Sequence, residues 1–270
     1  MNIKKRLLPA ALIVILTVGC TILCRETRLL FFEALAIVSA LEIEQVMAAA
    51  GRRVSKWLLI VYITLHAAMC LLRLDTVWLV SLFAFAAFGV FFYGILKPEK
   101  GAGFVTDSLF ALLWPFGFYA LVLCAAASEM WLPVLALGVL SSWACDSMAL
   151  IGGKLCGKHK LAPQVSPNKT WEGALIGAAF SAIAGLLIHL ILKSFYPVPA
   201  LVCMVIALVS STFGQIGDLA ASLIKRMAGV KDYGHLMPEH GGIMDKMDSM
   251  LFAIPAAYLM LYVFGLFGMG

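Results

Sequence analysis

The sequence predicts an all-α, polytopic integral membrane protein with about nine transmembrane helices, and three observations carry that prediction. The 270-residue chain is 63% hydrophobic against 13% charged, and its mean hydropathy is +0.98. Apolar runs of roughly 18 residues or more recur along it, each about long enough to cross a bilayer as a helix. Backbone in hydrocarbon must satisfy its own hydrogen bonds, which leaves helices or closed barrels, and the alternating segments of roughly ten residues that mark a barrel are absent.

Taken in order, the spans fall near residues 7–24, 29–49, 57–73, 76–96, 104–127, 130–150, 173–193, 198–224 and 248–267, with ends good to about 2–4 residues. The opening "MNIKKRLLPAALIVILTVGC" imitates a secretory signal with a lipoprotein cysteine at Cys20. It is read as an uncleaved span, because the apolar run continues to Cys24 and further spans follow. The second span carries Glu33, Glu42 and Glu44 and has the weakest apolar pattern of the nine. Two regions follow: helices over 1–130, sparse in chemistry, and 131–270, which holds nearly all of it in polar loops 151–172 and 225–247 and the spans beside them.

Charge gives the orientation. With the N-terminus inside, Lys4, Lys5, Arg6, Arg52, Arg53, Lys56, Lys97, Lys100, Lys154, Lys158, Lys160, Lys169, Lys225, Arg226, Lys231 and Lys246 fall on the inner side. Only Arg25, Arg28, Arg73 and Lys193 fall outside. This asymmetry is what the positive-inside rule predicts, and it puts both polar loops in the cytoplasm. The net charge of +5 follows from this topology. It suits anionic lipid headgroups and requires no nucleic-acid partner. The short chain, without a long N-terminal extension, suggests a bacterial inner membrane. A homodimer is left open.

The seven cysteines lie mostly in apolar runs and form no C-x-x-C pair, so they are read as packing residues rather than as a zinc site or a disulfide framework. His66 and His189 lie in apolar spans and are read as packed or interfacial, while His159 and His235 are loop residues without an assignment.

The polar residues of the second region form three groups. In "STFGQIGDLAASLIKR", Gln215, Asp218, Ser222 and Lys225 are spaced to share one face of a helix. A carboxylate facing hydrocarbon costs several kcal/mol, so this stripe faces protein or a wet cavity. Asp245 and Asp248, three apart at the start of the last span, aim at one point on a helix. They repel unless a cation lies between them, and hard oxygen donors favour Mg²⁺ over zinc. A milder explanation is the helix dipole, which also favours carboxylates in a first turn. Gly241 and Gly242 let backbone N–H groups approach an anion closely, and His240 beside them is a base, a phosphate donor or a packing residue. In the first loop, Asp146 ends a span at the inner face and Lys154, Lys158, Lys160 and Lys169 follow. Ser166-Pro167 reads as an N-cap with proline at the first helical position, which offers N–H groups to a phosphate and puts Lys169 and Glu172 on one helix face. Carboxylates to hold a metal and cations to hold phosphates suit phosphoryl or nucleotidyl transfer, where charge develops on a polyphosphate.

At these residues the chain resembles a known family. "SLIKRMAGVKDYGHLMPEHGGIMDKMDS" is similar to the signature of phosphatidate cytidylyltransferases, or CDP-diacylglycerol synthases, which runs Ser-x-x-Lys-Arg, Lys-Asp, His-Gly-Gly, Asp-Arg-x-Asp. The upstream "GKHKLAPQVSPNKTWEG" resembles a second segment of that family, with Asp146 before it, and the resemblance covers roughly residues 140–255. Lys246 stands where the family usually has arginine, which keeps the charge and loses the bidentate fork. Glu239 stands where glycine is common. The resemblance implies that CTP and phosphatidic acid give CDP-diacylglycerol and pyrophosphate at the membrane surface. It implies Asp146, Asp218, Asp245 and Asp248 as ligands for Mg²⁺, with a second cation as an option. Asp218, Asp245, Asp248, Lys169 and Lys225 would act in catalysis. Ser166, Lys169, Glu172, Ser222, Lys225, Arg226, Lys231, Asp232, His240, Gly241, Gly242 and Lys246 would bind substrate.

Two rivals belong beside this. A CTP-dependent lipid-alcohol kinase would release CDP. An ion transporter would use Asp218 and Glu42, but transport sites lie near the midplane and these charges cluster at one face. The D-G-x-x-A-R run of alcohol phosphatidyltransferases is absent.

Overall fold

Long apolar runs with no water to satisfy their main chain fold as helices, and the computed structural model has them so over the residues it describes, 17–236 and 241–266. Most of the first expected span, His240 and Glu239, and the final residue of the ninth span, Phe267, lie outside the described residues. Residues 17–23 are helical. Then come α1 (Arg25–Ala49), α2 (Lys56–Leu71), α3 (Thr76–Leu96), α4 (Gly101–Ala127), α5 (Trp131–Cys156), a hairpin of β1 (Lys160–Ala162) and β2 (Ser166–Thr170), α6 (Trp171–Leu192), α7 (Ala200–Met227), the short α8 (Met244–Met247) and α9 (Met250–Val263).

Among the described residues, six segments are long and apolar enough to cross a membrane by length and composition: α3, α4, α5, α6, α7 and Met244–Val263. They correspond to the fourth to ninth expected spans. Of the other expected spans, α1 carries too many charges for that standard and α2, at 16 residues, is short.

The described residues divide into two compact units, one running to Ala127 and including Met227–Asp245, the other Ser128–Arg226 with the residues from Lys246 onward. In the first, α1 packs on α2 and α4, and α3 on α2 and α4. Ser55 caps α2, its hydroxyl accepting from Leu58 N. The two arginines at the start of α1 serve neighbouring helix ends: Arg28 Nε donates to Ala126 O at 2.7 Å and Arg25 Nε to Ala127 O at 3.2 Å. Such bonds satisfy carbonyls that a helix C-terminus leaves without intrahelical partners.

In the second unit α5 lies along α6. The contact is backbone to backbone: a Cβ on Gly173 would meet Ala149 O at 2.5 Å. A π-turn at Ala136–Leu140 inside α5 packs against α9. Ser211 Oγ donates to Ser181 Oγ at 2.6 Å, tying α7 to α6.

Candidate active site

The polar stripe of α7 organises the second unit. Gln215 Nε2 donates to Cys145 Sγ at 3.1 Å and to Ala174 O at 3.3 Å, fixing the stripe to α5 and α6. One turn on, Asp218 Oδ2 lies 2.6 Å from Lys169 Nζ, both side chains about one-quarter exposed. This ion pair lacks hydrogen-bond geometry, so a buried ammonium is left with donors to spend. Ser222 Oγ donates to Asp218 Oδ1 at 3.3 Å, and Lys225, a further turn along, is buried.

Asp248 meets this stripe because of one glycine. A Cβ at Gly217 would stand 2.5 Å from Asp248 O and 2.8 Å from a Phe252 ring carbon, so only glycine lets α7 come this close. Asp248 is buried, and its Oδ1 accepts from Ser249 N at 2.7 Å. Asp218, Asp146 and Lys225 all act on it electrostatically. Asp146, on the exposed side of α5, in turn feels Asp218, Lys169 and the Ser249 side chain. Three carboxylates and two ammonium groups therefore gather from α5, β2, α7 and the lead-in to α9, with formal charge −1. Like charges in a partly dry site repel unless another cation offsets them. Among the described residues, the three aspartates do not bring one oxygen each within 4.8 Å of one another. The donors are hard oxygens, the kind that Mg²⁺ takes, and such an ion would draw on them together with water and substrate oxygens rather than on an all-protein cage.

Three expectations need correction here. Ser166-Pro167 does not begin a helix. Ser166–Thr170 is a strand, with Ala162 opposite Ser166 and Lys160 opposite Thr170. The residue before a proline avoids the helical region, and here the extended run continues. The cap is Thr170, whose hydroxyl accepts from Gly173 N at 3.1 Å. Lys169 and Glu172 consequently do not share a helix face. Lys169 reaches Asp218 from the strand, whereas Glu172 accepts from Lys158 N at 3.1 Å and His159 N at 3.2 Å and pairs with His159 Nδ1 at 2.5 Å, closing the turn before β1.

Second, Asp146 does not end its helix: α5 continues to Cys156, about 15 Å further on. Third, the amides of Gly242, Ile243 and Met244 are taken by carboxylates of the chain itself. In the first unit Gly242 N donates to Asp245 Oδ2 at 2.9 Å, Ile243 N to Glu42 Oε1 at 2.9 Å and Met244 N to Glu42 Oε2 at 2.8 Å. Asp245 Oδ2 accepts also from Tyr233 N at 2.7 Å. The glycines make room for these carboxylates. A Cβ on Gly242 would fall within 2.6 Å of both Glu42 oxygens, and Gly241 has φ +82°.

Glu42 and Gly217 are the residues whose roles sequence reasoning missed. Glu42 did give a signal, a carboxylate inside an apolar helix, but nothing local linked it to a segment some 200 residues away. Of the other expected residues, Arg226 Nε donates to Val165 O at 3.3 Å. Lys231 and Lys246 are exposed and Asp232 is half-buried.

Apolar helices long enough to cross a bilayer, with carboxylates, lysines and a hydroxyl gathered into one charged cluster, define a class: a helical membrane protein with a polar site. The family follows from comparison. A model of the Cytidylyltransferase family matches residues 4–264, and the chain belongs to that family. It is 43% identical over 122 residues to a phosphatidate cytidylyltransferase of Bacillus subtilis, a match covering 45% of each chain. It is 40% identical over 168 residues to one of Brucella abortus, covering 61% of this chain and 54% of that one. A phosphatidate cytidylyltransferase of Staphylococcus saprophyticus is 42% identical over 119 residues, covering 44% and 45%. In these matches the chain spans about half the length of its relatives.

Proposed function

We propose that the protein transfers the cytidylyl group of CTP to phosphatidic acid, giving CDP-diacylglycerol and pyrophosphate. The observation that carries this reading is the cluster of Asp146, Asp218 and Asp248 with Lys169 and Lys225, in a chain of the cytidylyltransferase family. A phosphate oxygen of phosphatidic acid attacks the α-phosphorus of CTP, the bond from that phosphorus to the oxygen bridging to the β-phosphate breaks, and pyrophosphate leaves. The nucleophile is already ionised near neutral pH, so positioning and charge matter more than a general base.

Lys169 and Lys225 neutralise phosphate charge as it shifts toward the leaving group, and Asp218 with Ser222 holds the first of these lysines in place. Asp146, Asp218 and Asp248 hold Mg²⁺, with a second cation as an option. When bound, the metal offsets negative charge on the triphosphate and orients it. Asp245 is proposed as a further ligand, and its two backbone hydrogen bonds also shape the segment around Gly241. Arg226 and Lys231 extend the positive field for the lipid or nucleotide phosphates. The excess of inner lysines and arginines orients the reaction toward the cytoplasm, where CTP is dissolved and the lipid headgroup can be met at the bilayer surface.

Following label in purified protein with phosphatidic acid tests the proposal. Label in the α-phosphate of CTP passes into lipid and label in the γ-phosphate appears in pyrophosphate. Transfer of γ-label to a lipid would instead identify a kinase.

A further inference from the structure

The first unit contains a second group of metal-binding side chains that cytidylyl transfer does not use. His66 and Cys70 lie four apart on one face of α2, and Cys124 faces them from α4. One ligand atom from each lies within 4.8 Å of the others, the one such trio of His, Cys, Asp or Glu among the described residues. Cys124 Sγ is 3.5 Å from His66 Nε2. A tetrahedral ion with metal–sulfur and metal–nitrogen bonds of about 2.3 and 2.0 Å holds such atoms about 3.5 Å apart.

The surroundings favour a ligand over packing alone. His66 is 3% and Cys70 4% exposed, and Cys124 is half-buried. Nε2 is the ring nitrogen of His66 turned to Cys124 Sγ, while Nδ1 is buried without a hydrogen-bond partner. The two helices are also clamped where the sulfurs sit. Arg25 bonds the carbonyls of Cys70, Leu71 and Ala127, and Arg28 that of Ala126, so the C-terminal turns of α2 and α4 are held together by the start of α1.

We propose that Cys70 Sγ, Cys124 Sγ and His66 Nε2 bind one thiophilic d¹⁰ cation, Zn²⁺ or Cu⁺. Soft thiolates select such ions over Mg²⁺, so this centre is chemically distinct from the carboxylate cluster. Binding deprotonates both thiols and releases their protons to solvent. Two thiolates leave the Zn²⁺ complex neutral, which suits an apolar interior.

The test uses full-length protein purified in detergent under reducing conditions. Elemental analysis gives about one Zn or Cu per chain, and competition with Zn²⁺- and Cu⁺-selective chelators shows which ion binds more tightly. Co²⁺ substitution gives thiolate-to-cobalt charge-transfer absorption. The absorption disappears in Cys70→Ser and in Cys124→Ser. Affinity in His66→Gln falls by at least the roughly 10–100-fold that loss of an outer-shell partner costs. Should a variant not fold, the parent protein still decides: bound Zn²⁺ or Cu⁺ protects Cys124 from alkylation and leaves exposed Cys24 reactive. Reduced parent protein that binds neither ion, or binds equally well after Cys70→Ser, overturns the proposal. So does a Cys70–Cys124 disulfide found by mass spectrometry in freshly alkylated protein.

Discussion

Asp218 and Glu42 are both carboxylates on largely apolar helices, and each is the focus of its own unit. Asp218 meets side chains: Lys169 Nζ at 2.6 Å, Ser222 Oγ at 3.3 Å, and the field of Asp146 and Asp248. Glu42 meets main chain, with both oxygens taken by the amides of Ile243 and Met244. Side chains can swing and exchange a partner for a ligand, whereas amides in a folded segment cannot leave without unfolding it. The same functional group thus serves as a candidate ligand in one unit and as a brace in the other. The difference lies in what donates to it, which burial and residue type alone do not reveal.

The sharpest way to break this comparison is to neutralise one carboxylate in each unit. Asp218→Asn and Asp248→Asn are each expected to lower the rate of CDP-diacylglycerol formation by about 10³-fold, on the scale of removing a preorganised electrostatic group. Their thermal midpoints should stay near the parental value. Initial rates with α-labelled CTP and a thermal melt check this pair. Lys169→Ala follows, with a loss of about 10²-fold and a raised requirement for CTP or phosphatidic acid. Lys169→Arg should recover part of it. An unchanged saturation profile in Lys169→Ala would remove the lysine from the site.

Glu42→Gln comes next and reverses the pattern. The amide NH₂ would face a backbone N–H, donor against donor, and the variant should lose about 1–3 kcal/mol of stability. A lowered thermal midpoint with an unchanged Mg²⁺ requirement is the expected outcome. A shifted Mg²⁺ requirement at full stability would make Glu42 part of the metal site and erase the contrast. The smallest effect belongs to Glu172→Gln. Its partners lie in an exposed turn, so only the local order of that turn is at stake. Faster proteolysis near Lys158 with a near-parental rate is the expected result.

Much of this was legible in the sequence, for identifiable reasons. Spans such as Thr76–Leu96 follow from hydropathy and length, since hydrocarbon leaves the main chain one choice. The α7 stripe was legible because 3.6-residue periodicity converts the spacing of Gln215, Asp218, Ser222 and Lys225 into a face. Ser166-Pro167 was misread because a cap signature and an extended X-Pro pair look alike locally, and only pairing with Lys160–Ala162 decides between them. Asp146 was placed at the end of a span because the apolar run gives way to polar residues soon after it. In the structure Gly152 is buried and lies with Gly153 within α5. The partners of Glu42 and the contact of Gly217 with Asp248 O are tertiary facts, and no pattern within a turn or two encodes them.

The most direct test of the central claim is the Mg²⁺ activation curve for transfer of α-label from CTP to phosphatidic acid, measured on the parent protein and on Asp248→Asn. The account predicts no transfer without a divalent ion, saturable activation in the parent, and a curve in the variant displaced to higher Mg²⁺ with a much lower ceiling. Parental activation by the same Mg²⁺ concentrations in Asp248→Asn would contradict it.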